Sequence, residues 1–468
     1  MKTELTYKNL FSLYPEYKED SITSKYIPHD YLKNLIENLP RQLFKIKKAG
    51  KSVAGKEIFS VKIGTGKTTV LLWSQMHGNE STATMAMFDI FNFFKATNSF
   101  EKFKGTILSN LTIYFIPMLN PDGAENFERE NAIGIDLNRD ASRLVSPESK
   151  LLKHLHEKIK PAFAFNLHDQ ENKHAVSENK IPAVISFLAP PFNFEREINP
   201  VRKKTMQIIS EIKNVLSEFI SGHIGRYSDE FEPRAFGDNF VKWGTSSILI
   251  ESGGWKNEPQ KQLQRKLNFV SILSGLFSIA TNNYEENSIE DYNSIPENKK
   301  LMFDVLLKDL QQKIGNEFYN LDIGITREEK FDVKLKTFYI VSRIEEIGDL
   351  SGFAGYTEID CSGMVVEPGK IYTGQDVFPN NLKEDQLHKF YSDGITCLQT
   401  MRIDSDKDYS NSGINFISNT SFENRIKINF PANLIIKLNN EIVYVVVNGF
   451  VYYVKEKSGH VGNGVIVK

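Results

Sequence analysis

Two cysteines in 468 residues, Cys361 and Cys397, are too few for a disulfide scaffold or for a zinc site built on several thiolates. Both read as small buried apolar residues. No run approaches the roughly 20 apolar residues needed to span a bilayer, so a membrane protein is not expected. The opening MKTELTYKNLFSLYPEYKED lacks the apolar core of a secretory leader, and a cytoplasmic protein is the expectation. Neither charge is in surplus. The 57 Lys+Arg and 59 Asp+Glu leave a net charge of −2, which argues against a nucleic-acid partner, and the two signs are mixed without an acidic or basic tail. What is present is ordinary globular composition, 40% hydrophobic and 12% aromatic, enough for a sizeable core. The length suggests two or three domains at roughly 150 residues each; the oligomeric state is left open.

Residues 1–48 read as short polar helices and loops. A hairpin then enters a core strand: apolar residues alternate over Ile58–Ile63, Gly64-Thr65-Gly66 supplies a turn, and Val70–Trp73 is apolar without interruption, as a strand buried on both faces would be. A helix is expected over Ser81–Lys95, where Met87, Ile90, Phe91 and Phe94 recur at helical spacing. A strand follows at Leu111–Met118. Ser146-Pro147 starts a second helix. Further strands are expected at Ala162–Leu167 and Ser246–Ile250, with helices over 200–221 and 261–282. The alternation indicates an α/β catalytic domain over 1–282, built on a mixed, mostly parallel central sheet flanked by helices. The polar stretch 283–300 reads as a linker. After a helix near 300–315, a smaller β-rich accessory domain fills 301–468, with hairpin turns at Asn439-Asn440 and Asn448-Gly449.

Two tempting motifs carry little. Gly64-Thr-Gly-Lys67-Thr68 lacks the earlier glycine of a phosphate loop, its place being taken by Val61. His154 and His156 lie two apart on a helix, face different ways, and are expected at the surface. Other residues cluster where chemistry belongs. His77-Gly-Asn-Glu80 leaves a buried strand and enters a helix. His168 ends another strand, and Glu251 a third, before Gly253 and Gly254. Ligand sites in α/β sheets lie at the carboxyl ends of strands. His77, Glu80 and His168 together would give one zinc ion three ligands and an open fourth position. Glu251 is then placed as a base near the activated water.

Asn120-Pro-Asp122-Gly123 and the string Arg129-x-Asn131-x-x-Gly134-x-Asp136-Leu-Asn138-Arg139, in this order between the His77 and Glu251 motifs, make the resemblance specific. The chain resembles the zinc metallocarboxypeptidases of the carboxypeptidase A superfamily, peptidase family M14, over most of the first domain. That resemblance implies zinc ligation by His77, Glu80 and His168, and a general base at Glu251. It implies that Arg129 stabilises the oxyanion and that Asn138 and Arg139 grip the terminal carboxylate of a peptide. Tyr227, 24 residues before Glu251, is the candidate for the family's mobile substrate-contacting tyrosine. Asp140 and Asp169 are candidates to orient a ligand from behind.

Two alternatives share these residues. The N-deacylases of the aspartoacylase and succinylglutamate desuccinylase type look similar around the His77 motif and the late glutamate, and would act on an N-acyl amino acid; the Asn120 and Arg129 segments favour the peptidase branch. A zinc-free binding protein on the same fold is the other, opposed by the presence of all three ligands and the base. In the second domain, Ile359–Gly369 and Glu441–Tyr453 resemble the small β domain that flanks amidohydrolase barrels.

Overall fold

The computed structural model describes residues 3–467 apart from 98, 178, 375–381, 401–407, 410–411, 419–421, 460 and 462–465. The chain divides into two compact units, Met1–Lys300 and Leu301–Lys468.

The first unit is organised by an eight-stranded sheet. From one edge to the other its strands are Lys45–Lys51, Glu57–Ile63, Leu111–Ile116, Thr68–Trp73, Phe163–Asp169, Ser246–Ser252, Ile185–Leu188 and Ile224–Arg226. The middle four run parallel, so their carboxyl ends lie along one rim. These strands are apolar on both faces because helices cover both. On one face Val70, Leu72, Ile113, Phe115, Phe163, Phe165, Ile248 and Ile250 pack among residues of the helices Thr82–Lys95, Pro200–Ile220 and Gln262–Thr281. On the other face Leu71, Trp73, Ile116 and Ala164 meet Leu152, Phe236 and Phe240 of the helices Pro147–Ile159 and Phe236–Lys242. Each such buried side chain contributes roughly 1.5–3 kcal/mol. No helix among the described residues is long and apolar enough to cross a membrane.

A buried ion pair ties two of the helices together. Arg265 donates to both carboxylate oxygens of Asp89, at 2.7 and 2.5 Å, and to the carbonyls of Ile22 and Glu19. Tyr14 donates to the same carboxylate. Burial alone would drive such charges out; the full set of hydrogen bonds is what makes them tolerable.

Several expectations need correction. Gly64–Gly66 does not join two paired strands, because Leu111–Ile116 lies between Glu57–Ile63 and Thr68–Trp73. The loop instead runs against the entry to that inserted strand: Thr65 and Gly66 donate to the carbonyls of Leu108 and Leu111. A Cβ at Gly66 would lie 1.8 Å from the carbonyl carbon of Asn110, so only glycine fits. Residues 283–300 are not a free linker. They hold a short 3-10 helix, Asn283–Glu286, a helix, Ile289–Asn293, and a strand, Asn298–Lys300, with Tyr284, Tyr292 and Ile295 buried; a few well-placed apolar side chains outweigh the polar composition. The expected helix near 300–315 is a strand, Met302–Ile314, since its alternating Val305, Leu307 and apolar neighbours pack into a sheet core. His156 is not at the surface either. It is buried between Phe240 and Trp243 with its Nε2 3.0 Å from Thr245 Oγ1, and burial, then Lys153, pushes its pKa down to about 4. His154 is exposed, as expected.

The second unit is β-rich. The long antiparallel strands Met302–Ile314, Glu317–Asp332 and Thr337–Gly348 lead an eight-stranded sheet that ends in the hairpins Leu434–Leu438, Glu441–Val447 and Phe450–Tyr453. Asn439, Asn440, Asn448 and Gly449 all have positive φ, the conformation that tight hairpin turns of this hand require. A second sheet of four parallel strands carries Ile395–Gln399 at its centre, beside the helix Glu384–Ser392. Cys361 and Cys397 are free and buried.

Candidate metal centre

Parallel strands deliver the singled-out residues to one rim. His77 and Glu80 follow Thr68–Trp73, the segment from Asn120 to Arg139 follows Leu111–Ile116, and His168 and Glu251 sit level with each other near the ends of two paired strands. The connection Ser74–Ser81 is bent sharply. Gln75 has φ of +45°, a strained value for a side chain of that size, and its amide donates to the Gly78 carbonyl at 2.8 Å. Gly78 lies so close to the next segment that a Cβ there would be 2.0 Å from the carbonyl carbon of Gly123. Asn120 fastens that segment. Its Oδ1 accepts from Gly123 N at 2.9 Å, and its Nδ2 donates to the carbonyls of Met76 and Glu130. The Asn120 motif thus locks the His77 loop to the Arg129 loop. Asp122 reaches elsewhere, accepting from Ser52 and Ala54.

Three buried side chains converge. His77 Nδ1 lies 2.8 Å from Glu80 Oε1, His168 Nδ1 lies 2.7 Å from Glu80 Oε2, and the two Nδ1 atoms are 3.2 Å apart. Candidate ligand atoms of all three lie within 4.8 Å of one another. The far side of the His77 ring is held by Asp136, whose Oδ1 lies 2.9 Å from Nε2. With the Nε2 proton given to Asp136, His77 Nδ1 directs a lone pair at the Glu80 carboxylate. Three basic atoms pointed at one place repel unless a proton or a cation lies among them. Two imidazole nitrogens and a carboxylate, one imidazole braced by a second carboxylate, suit a divalent metal ion.

The protein's own charges are arranged to match. Burial opposes ionisation of Glu80, yet His77 and His168 hold its carboxyl well below the ordinary range. Burial lowers His77, but Glu80 and Asp136 outweigh it and the net shift is upward. For His168 burial prevails and the shift is downward. Asp136 is held below the carboxylate range because His77 and Arg129 overcome its burial. Glu251 goes the other way. Burial first, then Glu80 and Asp169, raise it well above an ordinary carboxyl, with Arg129 and Lys261 opposing. Its Oε2 is buried without a hydrogen-bond partner among the described residues.

Arg129 donates from Nε to Asp136 Oδ2 at 3.1 Å and from Nη1 to Glu80 Oε1 at 3.2 Å, so it borders the cluster. Asn138 is held by Phe236 N, which donates to its Oδ1 at 2.9 Å. Arg139 is further out: its Nη1 donates to the Asn138 carbonyl, its Nε is 3.5 Å from Glu232, and its side chain is 41% exposed. Tyr227 Oη lies 3.4 Å from His174 Nε2; burial, then Glu251 and Glu80, keep the phenol protonated. Asp140 does not brace a ligand. It accepts from Val145 N, Ser146 N and Ser146 Oγ and so fixes the start of the helix Pro147–Ile159. The Asp169 side chain accepts from Thr82 Oγ1 at 2.7 Å, while its backbone N–H donates to Glu80 Oε2 at 3.2 Å and so helps to hold that carboxylate. The side chain that braces a histidine is Asp136, a member of the Arg129–Arg139 string to which sequence reasoning assigns no role. Exchanging it for Asn should lower affinity for a divalent ion roughly 10–100-fold, the usual cost of losing such a partner. Competition with a chelator checks this, and an unchanged affinity would remove Asp136 from the centre.

Part of the chain is similar to known proteins. A family model described as "Zinc carboxypeptidase" matches residues 29–205, a span that contains His77, Glu80, Arg129, Asn138, Arg139 and His168 but not Tyr227 or Glu251. Carboxypeptidase 2 of Trichophyton rubrum is 30% identical over 103 residues, 22% of this chain and 19% of that protein. The same enzyme of Trichophyton tonsurans is 29% identical over 108 residues, 23% of this chain and 20% of that protein. The chain thus spans about a fifth of the length of these relatives. Among solved structures, a metallo-carboxypeptidase from Burkholderia cenocepacia aligns with a TM-score of 0.43 at 17% identity, over 55% of this chain and 69% of that one. Carboxypeptidase A from Helicoverpa armigera aligns with a TM-score of 0.41 at 18% identity, over 55% of this chain and 73% of that one.

Proposed function

We propose that this chain, which the zinc carboxypeptidase family model matches over residues 29–205, is a zinc-dependent hydrolase that removes C-terminal residues from peptides. The observation that carries the proposal is the meeting of His77 Nδ1, Glu80 and His168 Nδ1 at the rim where Glu251 pairs in register with His168. His77, Glu80 and His168 would hold one zinc ion, which when bound supplies Lewis acidity for activating water and polarising a carbonyl at neutral pH.

The chain's own residues do the rest. Glu251 takes the proton of the attacking water and passes it to the leaving amine. A carboxyl raised by burial and by neighbouring carboxylates is suited to holding that proton between the two steps. Arg129 stabilises the oxyanion of the scissile carbonyl; its placement beside Glu80 supports this. Removing one such donor typically costs about 2.7–4 kcal/mol. Tyr227 contributes a protonated hydroxyl to substrate contact.

Selection of the chain end falls to Asn138 and Arg139. Phe236 N engages the Asn138 Oδ1, which leaves Nδ2 as a donor. The Arg139 guanidinium is half-exposed, with Nη1 on the Asn138 carbonyl and Nε 3.5 Å from Glu232, and its remaining N–H donors can serve a substrate carboxylate. Arg139→Ala should raise KM for peptides with a free terminal carboxylate by roughly 10–100-fold, in line with about 1.5–3 kcal/mol for a charged hydrogen bond. Amidated peptides should change little. If the preference for the free acid survives the exchange, the clamp is elsewhere.

The function itself is tested by incubating the zinc-loaded protein with peptides and with N-acyl amino acids and reading products by mass spectrometry. Stepwise loss of C-terminal residues is the expected outcome. Turnover of the N-acyl amino acids alone would make the protein a deacylase.

A further inference from the structure

The Glu251 carboxylate is oddly anchored for a group that must act at one place. Its Oε2 takes no hydrogen bond from the described residues, as an atom kept free for a moving proton requires. Its position therefore depends on the backbone that carries it. Within the sheet that backbone is level with His168 on one side and Ser186 on the other. Just beyond, the chain leaves the sheet at Ser252-Gly253-Gly254, a stretch with two glycines and little intrinsic stiffness.

Three side chains grip this exit, one from the residue just before the helix Gln262–Thr281 and two from its first two turns. Lys261 Nζ donates to the Ser252 carbonyl at 2.9 Å and to the Gln170 carbonyl at 3.4 Å, and lies 3.6 Å from Asp169 Oδ2. Gln264 Nε2 donates to the Gly253 carbonyl at 3.0 Å, and Asn268 Nδ2 to Ser252 Oγ at 2.7 Å. Gln264 and Asn268 are fully buried, and the Lys261 side chain is only 13% exposed. Gln264 and Asn268, four residues apart, share one helical face, and Lys261 immediately precedes the helix. The helix that presents them is itself fixed by the Arg265–Asp89 pair. Lys261 has φ of +51°, a backbone value that costs a lysine energy and so needs a compensating use. Because Gln170 and Asp169 follow His168, the ammonium joins the strand end bearing Glu251 to the strand end bearing His168.

We propose that Lys261, Gln264 and Asn268 are positioning residues that hold the Glu251 carboxylate at its working place opposite His168. The proposal rests on the reading of Glu251 as the base. A displacement of about 1 Å in a reacting group costs on the order of 100-fold in rate, so the loss of one such tether should be visible in kcat rather than in KM.

The test is steady-state hydrolysis of one peptide by the zinc-loaded protein and its Lys261→Met, Lys261→Arg, Ser252→Ala and Glu251→Gln variants, with zinc content measured for each. The expected result for Lys261→Met is a roughly 10–100-fold lower kcat, with KM and zinc stoichiometry unchanged. Lys261→Arg should recover part of that loss, because it restores a cation and donors. A Lys261→Met protein with unaltered kcat would overturn the proposal, as would a loss accompanied by loss of zinc. Should Lys261→Met fail to fold, Ser252→Ala decides. A kcat reduced several-fold at constant KM supports the tether through Asn268, and an unchanged kcat rejects it. Full activity of Glu251→Gln would instead sink the base assignment itself, while an inactive Glu251→Gln beside a fully active Lys261→Met would sink only the tether.

Discussion

Glu251→Gln is expected to lower kcat by roughly 10²–10⁴-fold, the range over which a positioned general base contributes, while the protein keeps its zinc. The substitution preserves shape and removes only the ability to carry a proton as a carboxylate. It should not unfold the chain, because Oε2 makes no hydrogen bond among the described residues that would be lost. The metal-free variant should melt at the same temperature as the unsubstituted protein or higher, since neutralising residue 251 relieves its repulsion with Glu80 and Asp169. Stopped activity, retained metal and undiminished stability form a signature that damage to the fold would not produce. Rate assays, elemental analysis and thermal unfolding on one preparation read all three. Turnover equal to that of the unsubstituted protein would show that another group takes the proton.

The second large effect is expected from the metal ligands. His168→Ala and His77→Ala should each lower zinc affinity by more than the roughly 10–100-fold that loss of an outer partner costs, because an inner donor is lost outright. Turnover should fall in parallel with zinc content and recover in part when zinc is added in excess. The two exchanges differ in their side effects. Truncating His77 strands Asp136 Oδ1, which also accepts from Asn138 N, so the Asn138–Arg139 segment should loosen and KM should rise as well. Truncating His168 frees no such partner, as its Nε2 has none among the described residues. Full zinc occupancy in both variants after dialysis would remove the ligand assignment.

The features readable in the sequence were those whose cause is local. Val70–Trp73 is apolar throughout, and Phe163–Leu167 nearly so with Asn166 the exception, because both faces of a covered parallel strand are buried, and the ligands stand out because each lies at or just beyond the end of such a strand. The positive-φ asparagines of the late hairpins are local signals too. What stayed hidden depends on distant partners. Gly64–Gly66 looks like a hairpin turn until Leu111–Ile116 is inserted beside it. His156 looks solvated until Phe240 and Trp243, far along the chain, close over it. Asp136, Asp140 and Asp169 cannot be told apart by position in sequence. Only the folded loops show that Asp136 braces His77, that Asp140 ties down the residues just before a helix, and that Asp169 meets Thr82, Lys261 and, through its backbone, Glu80. Lys261 gave no signal, since a lysine ten residues after the base acquires meaning only from the helix that brings it back to Ser252 and Gln170.

The measurement that bears most directly on the central claim is anomalous scattering at the zinc edge from crystals of the zinc-loaded protein. One ion is predicted, with the Nδ1 atoms of His77 and His168 at about 2.0–2.1 Å and a Glu80 oxygen at about 2.0–2.2 Å. Crystals without a zinc signal at these three residues, or with the ion bound elsewhere in the chain, would contradict the account.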